Sequence, residues 1–227
     1  LLIALNGFTR DVLVRAGFDP ARIMVKPNAA TVDALDAPSP DTPAAHAVFV
    51  GRLSPEKGVL TLVRAALRVP NLPLRIVGDG PLADEIQDIL RAADARHITL
   101  LGFLPPDAVA RELAAALVTV FPSECYENCP MIVVNALYLG TPVVAARTGG
   151  IPDFVPDGRA GWLFTPGDET ALAERLLWIA AHPGEVRAMR PQVRAWGRDT
   201  FAPDKNCAAL EAAYTTAIAT GAAQRRC

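Results

Sequence analysis

Residues 46–68 of this 227-residue chain read HAVFVGRLSPEKGVLTLVRAALR and predict a strand, a loop and a helix in direct succession. The strand, over 46–50, is apolar and lacks the alternation of a half-exposed strand. Such runs are typical of strands that helices cover on both faces, as in parallel sheets. The helix is predicted over 57–68, so the stretch indicates one β-α unit of a parallel α/β sheet.

The same alternation continues along the chain. Further strands are predicted over 74–77, 98–101, 117–121 and 142–145, with helices over 81–93, 107–115 and 131–139 between them. From about residue 165 the pattern is helical throughout, over 168–181, 185–196 and 205–220. The fold class predicted is α/β, with a doubly wound parallel (Rossmann-like) sheet and a helical C-terminal tail.

The first 45 residues follow a different pattern. The apolar run over 1–5 is typical of a sheet strand, and we expect its partner strands upstream of residue 1. A helix over 10–16 and a strand over 23–26 follow. The next stretch predicts a linker or loop because it is rich in proline, with Pro38, Pro40 and Pro43.

Composition excludes several classes of protein. With 51% hydrophobic and 20% charged residues, the chain is neither disordered nor of low complexity. Its 22 basic and 24 acidic residues give a net charge of −2, which argues against a general nucleic-acid surface, because phosphate backbones require a concentrated basic face. Any anion must therefore be bound locally.

The cysteines indicate neither a disulfide framework nor a metal site. Cys125 and Cys129 lie four residues apart, but no second Cys/His pair has ligand spacing. No run reaches the length of about 18 apolar residues that a membrane span needs, and no signal peptide is evident. We therefore expect free thiols, no metal and a cytoplasmic location.

The loop after the strand 46–50 carries two basic residues that are candidates for binding an anion. Arg52 and Lys57 bracket the start of the following helix, where free backbone N–H groups and the positive end of the helix dipole lie. That combination suits a diphosphate. The alternative is that both residues are solvated surface charges.

The loop after the strand 117–121 carries the other candidates. Glu127 precedes a helix whose first residues, Met131 and Ile132, offer N–H groups to an anion. A carboxylate beside such a helix end suits sugar hydroxyls; the alternative is a helix-dipole or capping acid, a role that we assign to Glu124. Asn135 lies further along the helix, where it could also be a buried polar residue bonded to backbone.

Glycines also follow two other predicted strands: Gly78 and Gly80 follow the strand 74–77, and Gly149 and Gly150 follow the strand 142–145. They permit close backbone approach to a ligand, although a strand-to-helix turn needs glycine in any case. Four such junctions at one edge of a sheet predict a cleft for an anionic ligand.

Eight short motifs resemble, in family order, the donor-binding half of the family 4 retaining glycosyltransferases with the GT-B fold (glycosyl transferases group 1). They are Lys26-Pro27-Asn28, Gly51-Arg52-Leu53 with Glu56-Lys57-Gly58, Gly78-Asp79-Gly80-Pro81, Gly102-Phe103, the stretch 122–137, Gly140-Thr141-Pro142-Val143 and Gly149-Gly150-Ile151-Pro152. The resemblance covers most of residues 22–220.

The resemblance implies transfer of a sugar from a nucleoside diphosphate sugar to an acceptor hydroxyl, with retention of configuration. Arg52 and Lys57 would hold the diphosphate and stabilise the departing nucleotide. Glu127, the first Glu of the family's E-x7-E motif, would contact sugar hydroxyls. No metal or other cofactor is implied. The backbone of Gly51, Met131 and Ile132 would lie at the phosphates, and Leu104 near the base.

The resemblance also implies a division of the chain. Residues 1–45 would be a remnant of an N-terminal domain with the interdomain linker, residues 46–200 the nucleotide-sugar-binding domain, and residues 201–227 a helix packing back toward the N-terminal domain. That missing domain would bind the acceptor and make any peripheral membrane contact. By itself, this chain is then expected to bind the donor without catalysing transfer.

Two alternatives remain open. A non-catalytic nucleotide-sugar-binding module or degenerate paralogue is favoured by Asn135, which stands where the family has the second Glu of its motif, the residue that bonds ribose. A nucleotide-sugar epimerase of the same fold would need further ionisable groups in the cleft, and His46, His97 and His182 do not sit at suitable junctions.

Replacing Asn135 by the family residue tests its role. We expect Asn135→Glu to tighten nucleotide-sugar binding by roughly 1–2 kcal/mol, because a carboxylate makes a charge-assisted bond to ribose hydroxyls. Calorimetry measures the change. An unchanged or weaker affinity would contradict ribose contact at this position.

Overall fold

The computed structural model describes residues 1–32 and 45–224. The chain begins with a β-α-β unit of β1 (Leu2–Ala4), α1 (Gly7–Arg15) and β2 (Ile23–Val25). β1 pairs with β2 in parallel. The expectation that the partners of β1 lie upstream is therefore wrong for this edge, because the helix between the strands supplies the crossover that a parallel pair requires.

The main sheet has six parallel strands in the order β5-β4-β3-β6-β7-β8. Their bounds are β3 (Ala47–Val50), β4 (Leu74–Val77), β5 (Ile98–Gly102), β6 (Val118–Phe121), β7 (Val143–Ala146) and β8 (Gly161–Phe164). The chain starts in the middle of the sheet and winds outward to both edges. The predicted doubly wound fold is confirmed.

Helices cover both faces of this sheet. They are α2 (Val59–Leu67), α3 (Ala83–Ala92), α4 (Pro106–Ala115), α5 (Met131–Leu139), α6 (Ile151–Phe154) and α7 (Glu169–Ala181). Phe49 packs in the core on the side of α2 and α7, whereas its neighbours Val48 and Val50 pack in the core on the side of α4 and α5. The apolar run over 46–50 lacks alternation because each face has its own core.

The predicted pattern differs from the structure in several places, among them the short helix α6, which was not predicted. β8 was not predicted, and its Gly161 explains its place: a Cβ there would lie 1.8 Å from the Val143 carbonyl oxygen of the adjacent strand. The helix predicted over 185–196 is two helices, α8 (Pro183–Ala188) and α9 (Arg190–Phe201). Pro191 lies in the first turn of α9, where its missing N–H costs nothing, and cannot continue the helix before it.

The carboxyl-terminal helix, α10 (Pro203–Gln224), returns to the segment that follows β2. Asn206 accepts a hydrogen bond from Lys26 Nζ at 2.7 Å and donates one to the Pro27 carbonyl oxygen at 2.6 Å. Ala30 N donates to the Phe201 carbonyl oxygen. The proline-rich stretch with Pro38, Pro40 and Pro43 lies outside the described residues, and the proposed domain boundaries stay a prediction.

Within 1–32 and 45–224, no helix combines the length and the apolar character that a bilayer crossing demands.

The loop between β3 and α2 depends on Gly58. The helix predicted over 57–68 is a 3-10 turn, Pro55–Lys57, followed by α2, and Gly58 joins the two with φ of 65°. A Cβ at Gly58 would lie 2.0 Å from the Pro122 carbonyl oxygen. Only glycine lets these two loops approach so closely.

We expect Gly58→Ala to lower the free energy of unfolding by more than ~2 kcal/mol, since it adds a backbone clash to left-handed strain. Gly102→Ala is the matched control, because Gly102 has φ of 68° and nothing within 4 Å of its Cβ position. Urea unfolding of both variants measures the difference. Equal losses would show that the contact with Pro122 contributes nothing.

Candidate functional site

A cleft of about 310 Å³ lies at the carboxyl ends of β3 and β6. It is lined by six of the eight predicted site residues: Gly51, Arg52, Lys57, Glu127, Met131 and Ile132. The sheet order explains why they meet, since β3 and β6 are neighbours and their following loops leave the same edge. Leu104 and Asn135 do not line this cleft.

The start of α5 faces the cleft without a side-chain cap. Pro130 stands at the N-cap and has no acceptor side chain, so Met131 and Ile132 begin the helix with no capping hydrogen bond. Helix-start N–H groups and the positive end of the dipole are thus available to an anion. By contrast, α7 is capped by Asp168, whose carboxylate accepts from Ala171 N at 2.9 Å.

That contrast matters because a larger cavity, of about 510 Å³, lies between β8 and α7. Both cations that line it have partners: Arg175 lies over the Trp162 and Trp178 rings at 5.4 and 5.6 Å, and Arg147 pairs with Asp157 at 2.9 Å. Its helix start is already satisfied. The smaller cleft therefore has the stronger chemistry for binding an anion.

Lys57 and Glu127 form an ion pair across the cleft, with Nζ and Oε1 2.5 Å apart. Ser123 Oγ donates to the same carboxylate oxygen at 2.9 Å. Burial lowers the pKa of Lys57, but the hydrogen bond and charge of Glu127, together with the charges of Cys125 and Glu56, raise this pKa overall. The stability that comes from the raised pKa of Lys57 is therefore present at neutral pH and is lost on the alkaline side, as the pH rises above the ordinary lysine value of 10.5 and through the raised pKa.

Arg52 is the second cation of the cleft. Its side chain is exposed and makes no ion pair within the described parts of the chain. The adjacent Glu56 instead accepts from Ser54 Oγ at 2.6 Å, which lowers the pKa of that carboxyl. The guanidinium therefore keeps all its donors for a ligand.

Asn135 is buried and bonded to Thr31. Its Oδ1 accepts from Thr31 N at 2.9 Å, and its Nδ2 donates to Thr31 Oγ1 at 3.0 Å. Asn135 therefore holds the segment that enters the linker stretch. A ribose hydroxyl would have to share or replace these bonds.

Leu104 lies in the loop after β5 and packs against the core on the side of α4 and α5. Its neighbour Phe103 is 79% exposed at the same edge of the sheet. Phe103 is therefore the exposed ring of this loop, and the expected place of Leu104 near the base stays a prediction.

Glu124 is not a capping acid. Its Oε1 accepts from Thr61 Oγ1 at 2.8 Å, and its backbone N donates to the Glu56 carbonyl oxygen at 2.9 Å. These bonds fasten the loop after β6 to α2 and to the loop after β3, because all three lie at one edge of the sheet. The predicted capping role of Glu124 is therefore wrong.

Two polar residues that bear on the cleft were not predicted. Ser123 does not line the cleft but donates to Glu127, and Cys129 lines the wall, where burial raises the pKa of its thiol. A serine in a loop carries no sequence signal by itself. Among the described residues, no group of three His, Cys, Asp or Glu side chains is placed to hold a metal ion.

A sequence profile of the family described as glycosyl transferases group 1 matches residues 36–196. The chain belongs to this family. The residues that line the cleft all lie within the segment that the family profile matches.

The chain is 33% identical to D-inositol 3-phosphate glycosyltransferase of Mycobacterium bovis, over all of this chain and 50% of that protein. It is 35% identical to sulfoquinovosyl transferase SQD2 of Arabidopsis thaliana, over 62% of this chain and 27% of that protein. The chain therefore spans half or less of the length of these relatives.

Solved structures share the fold. HepE of Anabaena, in complex with UDP and glucose, has a TM-score of 0.84 and 22% identity over 95% of this chain and 63% of that one. Sucrose-phosphate synthase of Thermosynechococcus elongatus has a TM-score of 0.80 and 24% identity over 96% of this chain and 58% of that one. The predicted GT-B architecture is confirmed.

Removing the charge of Glu127 should lower the pKa of Lys57. In Glu127→Gln, burial is opposed only by the smaller effects of Cys125 and Glu56, so we expect a pKa below that of the wild type. NMR titration of the lysine side-chain carbons measures it. Glu124→Gln is the control, since that carboxylate bonds Thr61 instead. Equal pKa values in all three proteins would contradict the pairing.

Proposed function

We propose that this chain is the donor-binding part of a retaining glycosyltransferase, which transfers a sugar from a nucleoside diphosphate sugar to an acceptor hydroxyl. The observation that carries the proposal is the cleft itself, where an uncapped helix start, Arg52 and the Lys57–Glu127 pair face one another. Anion binding and hydroxyl binding are thus available side by side.

The diphosphate is expected to bind at the start of α5. The N–H groups of Met131 and Ile132 donate to phosphate oxygens, and Arg52 and Lys57 neutralise the charge that develops as the nucleotide leaves. In the reaction, the bond from the sugar C1 to phosphate oxygen breaks and its electrons stay on the departing diphosphate. The acceptor oxygen attacks the same face of the sugar, and its proton passes to the departing phosphate.

Glu127 is expected to bind the sugar. Its Oε1 accepts from Lys57 and Ser123, while Oε2 accepts no hydrogen bond from the described residues. A carboxylate oxygen held in this way accepts from a sugar hydroxyl without further ordering.

The similar proteins support a nucleotide donor and leave the base open. The HepE structures contain UDP, UDP with glucose, or UDP-glucose. A Mycolicibacterium smegmatis relative, 33% identical over 68% of this chain and 43% of that protein, is a GDP-mannose-dependent mannosyltransferase. The donor panel therefore contains both UDP- and GDP-sugars.

The remaining parts of the proposal concern the acceptor, the location and the cofactors. The acceptor site, and any peripheral membrane contact, belong to the further residues that these relatives have. The enzyme acts in the cytoplasm. Two cations and a helix start supply the positive charge at the diphosphate, so the proposal includes no metal or other cofactor.

A nucleotide-sugar-binding module without activity is the second candidate. The observation that favours it is Asn135, whose amide bonds Thr31 in the position of a ribose-binding glutamate. A chain extended upstream decides between the two by transfer and hydrolysis assays, with the anomeric configuration of the product read by NMR. Donor binding without turnover would favour the module.

The epimerase alternative has no support from the three histidines. None of them lines the cleft, and His46 lies at the opposite end of β3, beside Glu112.

Removing both cations tests the donor site. We expect Arg52→Ala with Lys57→Ala to weaken binding of a nucleoside diphosphate by about 100-fold, because each loses charge-assisted bonds to phosphate. Calorimetry with UDP and with GDP measures this. The control pair, Arg91→Ala with Lys205→Ala, removes one exposed arginine and one exposed lysine outside the cleft.

Wild-type affinity in the cleft double variant would mean that the donor site is elsewhere. If the control pair weakens nucleoside diphosphate binding equally, the effect comes from the net charge of the protein and not from the cleft.

A further inference from the structure

The loop that carries Glu127 is held on both sides by the start of α1. Asn6 Nδ2 donates to the Asn128 carbonyl oxygen at 2.5 Å, and Thr9 Oγ1 donates to Asn128 Oδ1 at 3.1 Å. On the other side, the Phe8 and Tyr126 rings lie 5.1 Å apart at 55°. The two residues that flank Glu127 thus both contact α1.

The start of α1 is itself fixed. Asn6 is 2% exposed, and its Oδ1 accepts from Thr9 N at 2.6 Å as the N-cap of the helix. One amide therefore caps α1 and ties the loop. Asn6 also packs on Gly150, where a Cβ would lie 2.2 Å from Nδ2, and Gly7 N donates to Asp153 Oδ2 at 2.7 Å.

The side chain of Glu127 is held at Oε1 by Lys57, Ser123 and Cys125, so what remains to be explained is the position of its backbone. The loop from 122 to 130 contains neither helix nor strand, and the Glu127 side chain is bonded through one carboxylate oxygen. The place of its backbone therefore depends on what holds Tyr126 and Asn128.

We propose that Asn6, Phe8 and Thr9 are positioning residues that place Glu127 against the sugar of the donor. This rests on the proposed function. The start of α1 thereby couples the β-α-β unit at the beginning of the chain to recognition of the sugar.

The coupling should be selective. Arg52 and the start of α5 hold the diphosphate in the proposed function, and neither has a hydrogen bond or ring contact with α1 among those of the described residues. Loss of the contacts that Asn6, Phe8 and Thr9 make with the Glu127 loop therefore weakens binding of the nucleotide-sugar. Binding of the nucleoside diphosphate stays unchanged. A merely structural role would weaken both.

Asn6→Asp separates the two roles of this side chain. Aspartate is as good an N-cap as asparagine, so α1 stays capped, but it cannot donate to the Asn128 carbonyl oxygen. Thr9→Val removes the second bond at constant shape, and Thr9→Ser restores its hydroxyl. Asn71→Asp adds the same charge at an exposed site in the turn before β4 and is the control.

Calorimetry of the 227-residue chain measures dissociation constants for UDP and UDP-glucose, and for GDP and GDP-mannose. For the pair that the wild type binds, we expect Asn6→Asp and Thr9→Val to weaken sugar-nucleotide binding about tenfold and to change diphosphate binding less than twofold. Thr9→Ser and Asn71→Asp should match the wild type.

Two results would overturn the proposal: equal weakening of both ligands, or no change in either. If the wild type binds neither UDP nor GDP, the donor site itself fails. If the wild type binds both the nucleoside diphosphate and the nucleotide-sugar, the ratio of the two dissociation constants decides. If that ratio is then the same in every variant, only the positioning role fails.

Discussion

The parallel pairing of β3 with β6 determines the rest of this site. Residues 71 apart in sequence are paired here: Ala47 lies opposite Val118 and Val48 opposite Thr119. The loops that follow the two strands are therefore neighbours, and backbone bonds join them: Glu124 N donates to the Glu56 carbonyl oxygen, and Gly58 lies against Pro122. Lys57 and Glu127 meet because this edge brings together the loop after β3, which carries Lys57, and the loop after β6, which carries Glu127.

The ion pair then arranges the charges of the cleft. Lys57 occupies one oxygen of Glu127, which neutralises a carboxylate that would otherwise repel an anion at the start of α5. Arg52 and the uncapped helix start stay positive. A negative ligand and a hydroxyl-bearing ligand can thus be bound a few ångströms apart without conflict.

Local sequence patterns predicted most of the fold and part of the site. The strands 74–77 and 98–101 and the helix 131–139 agree with the structure to within one residue, because β-α alternation and apolar spacing are local properties. Six of the eight predicted site residues line the cleft for the same reason: each follows a strand or starts a helix. Family resemblance gave the same residues their expected roles.

Long-range contacts could not be predicted in this way. The bond of Asn135 to Thr31 joins residues 104 apart, and that of Asn6 to Asn128 joins residues 122 apart. Neither pair has a local signature. β8 was missed because its identity rests on the approach of Gly161 to Val143, and the partner of β1 because pairing of so short a strand depends on the β-α-β unit as a whole.

The bond between Asn206 and Pro27 makes the segment from 27 to 206 begin and end at one point. A stretch whose ends adjoin can be exchanged between homologous enzymes as a cassette, since the graft alters the chain at two neighbouring places. Chimeras joined there would keep the six-stranded sheet, its cleft and α9 from one parent. Helix α1, which contacts the loop that carries Glu127, would come from the other parent.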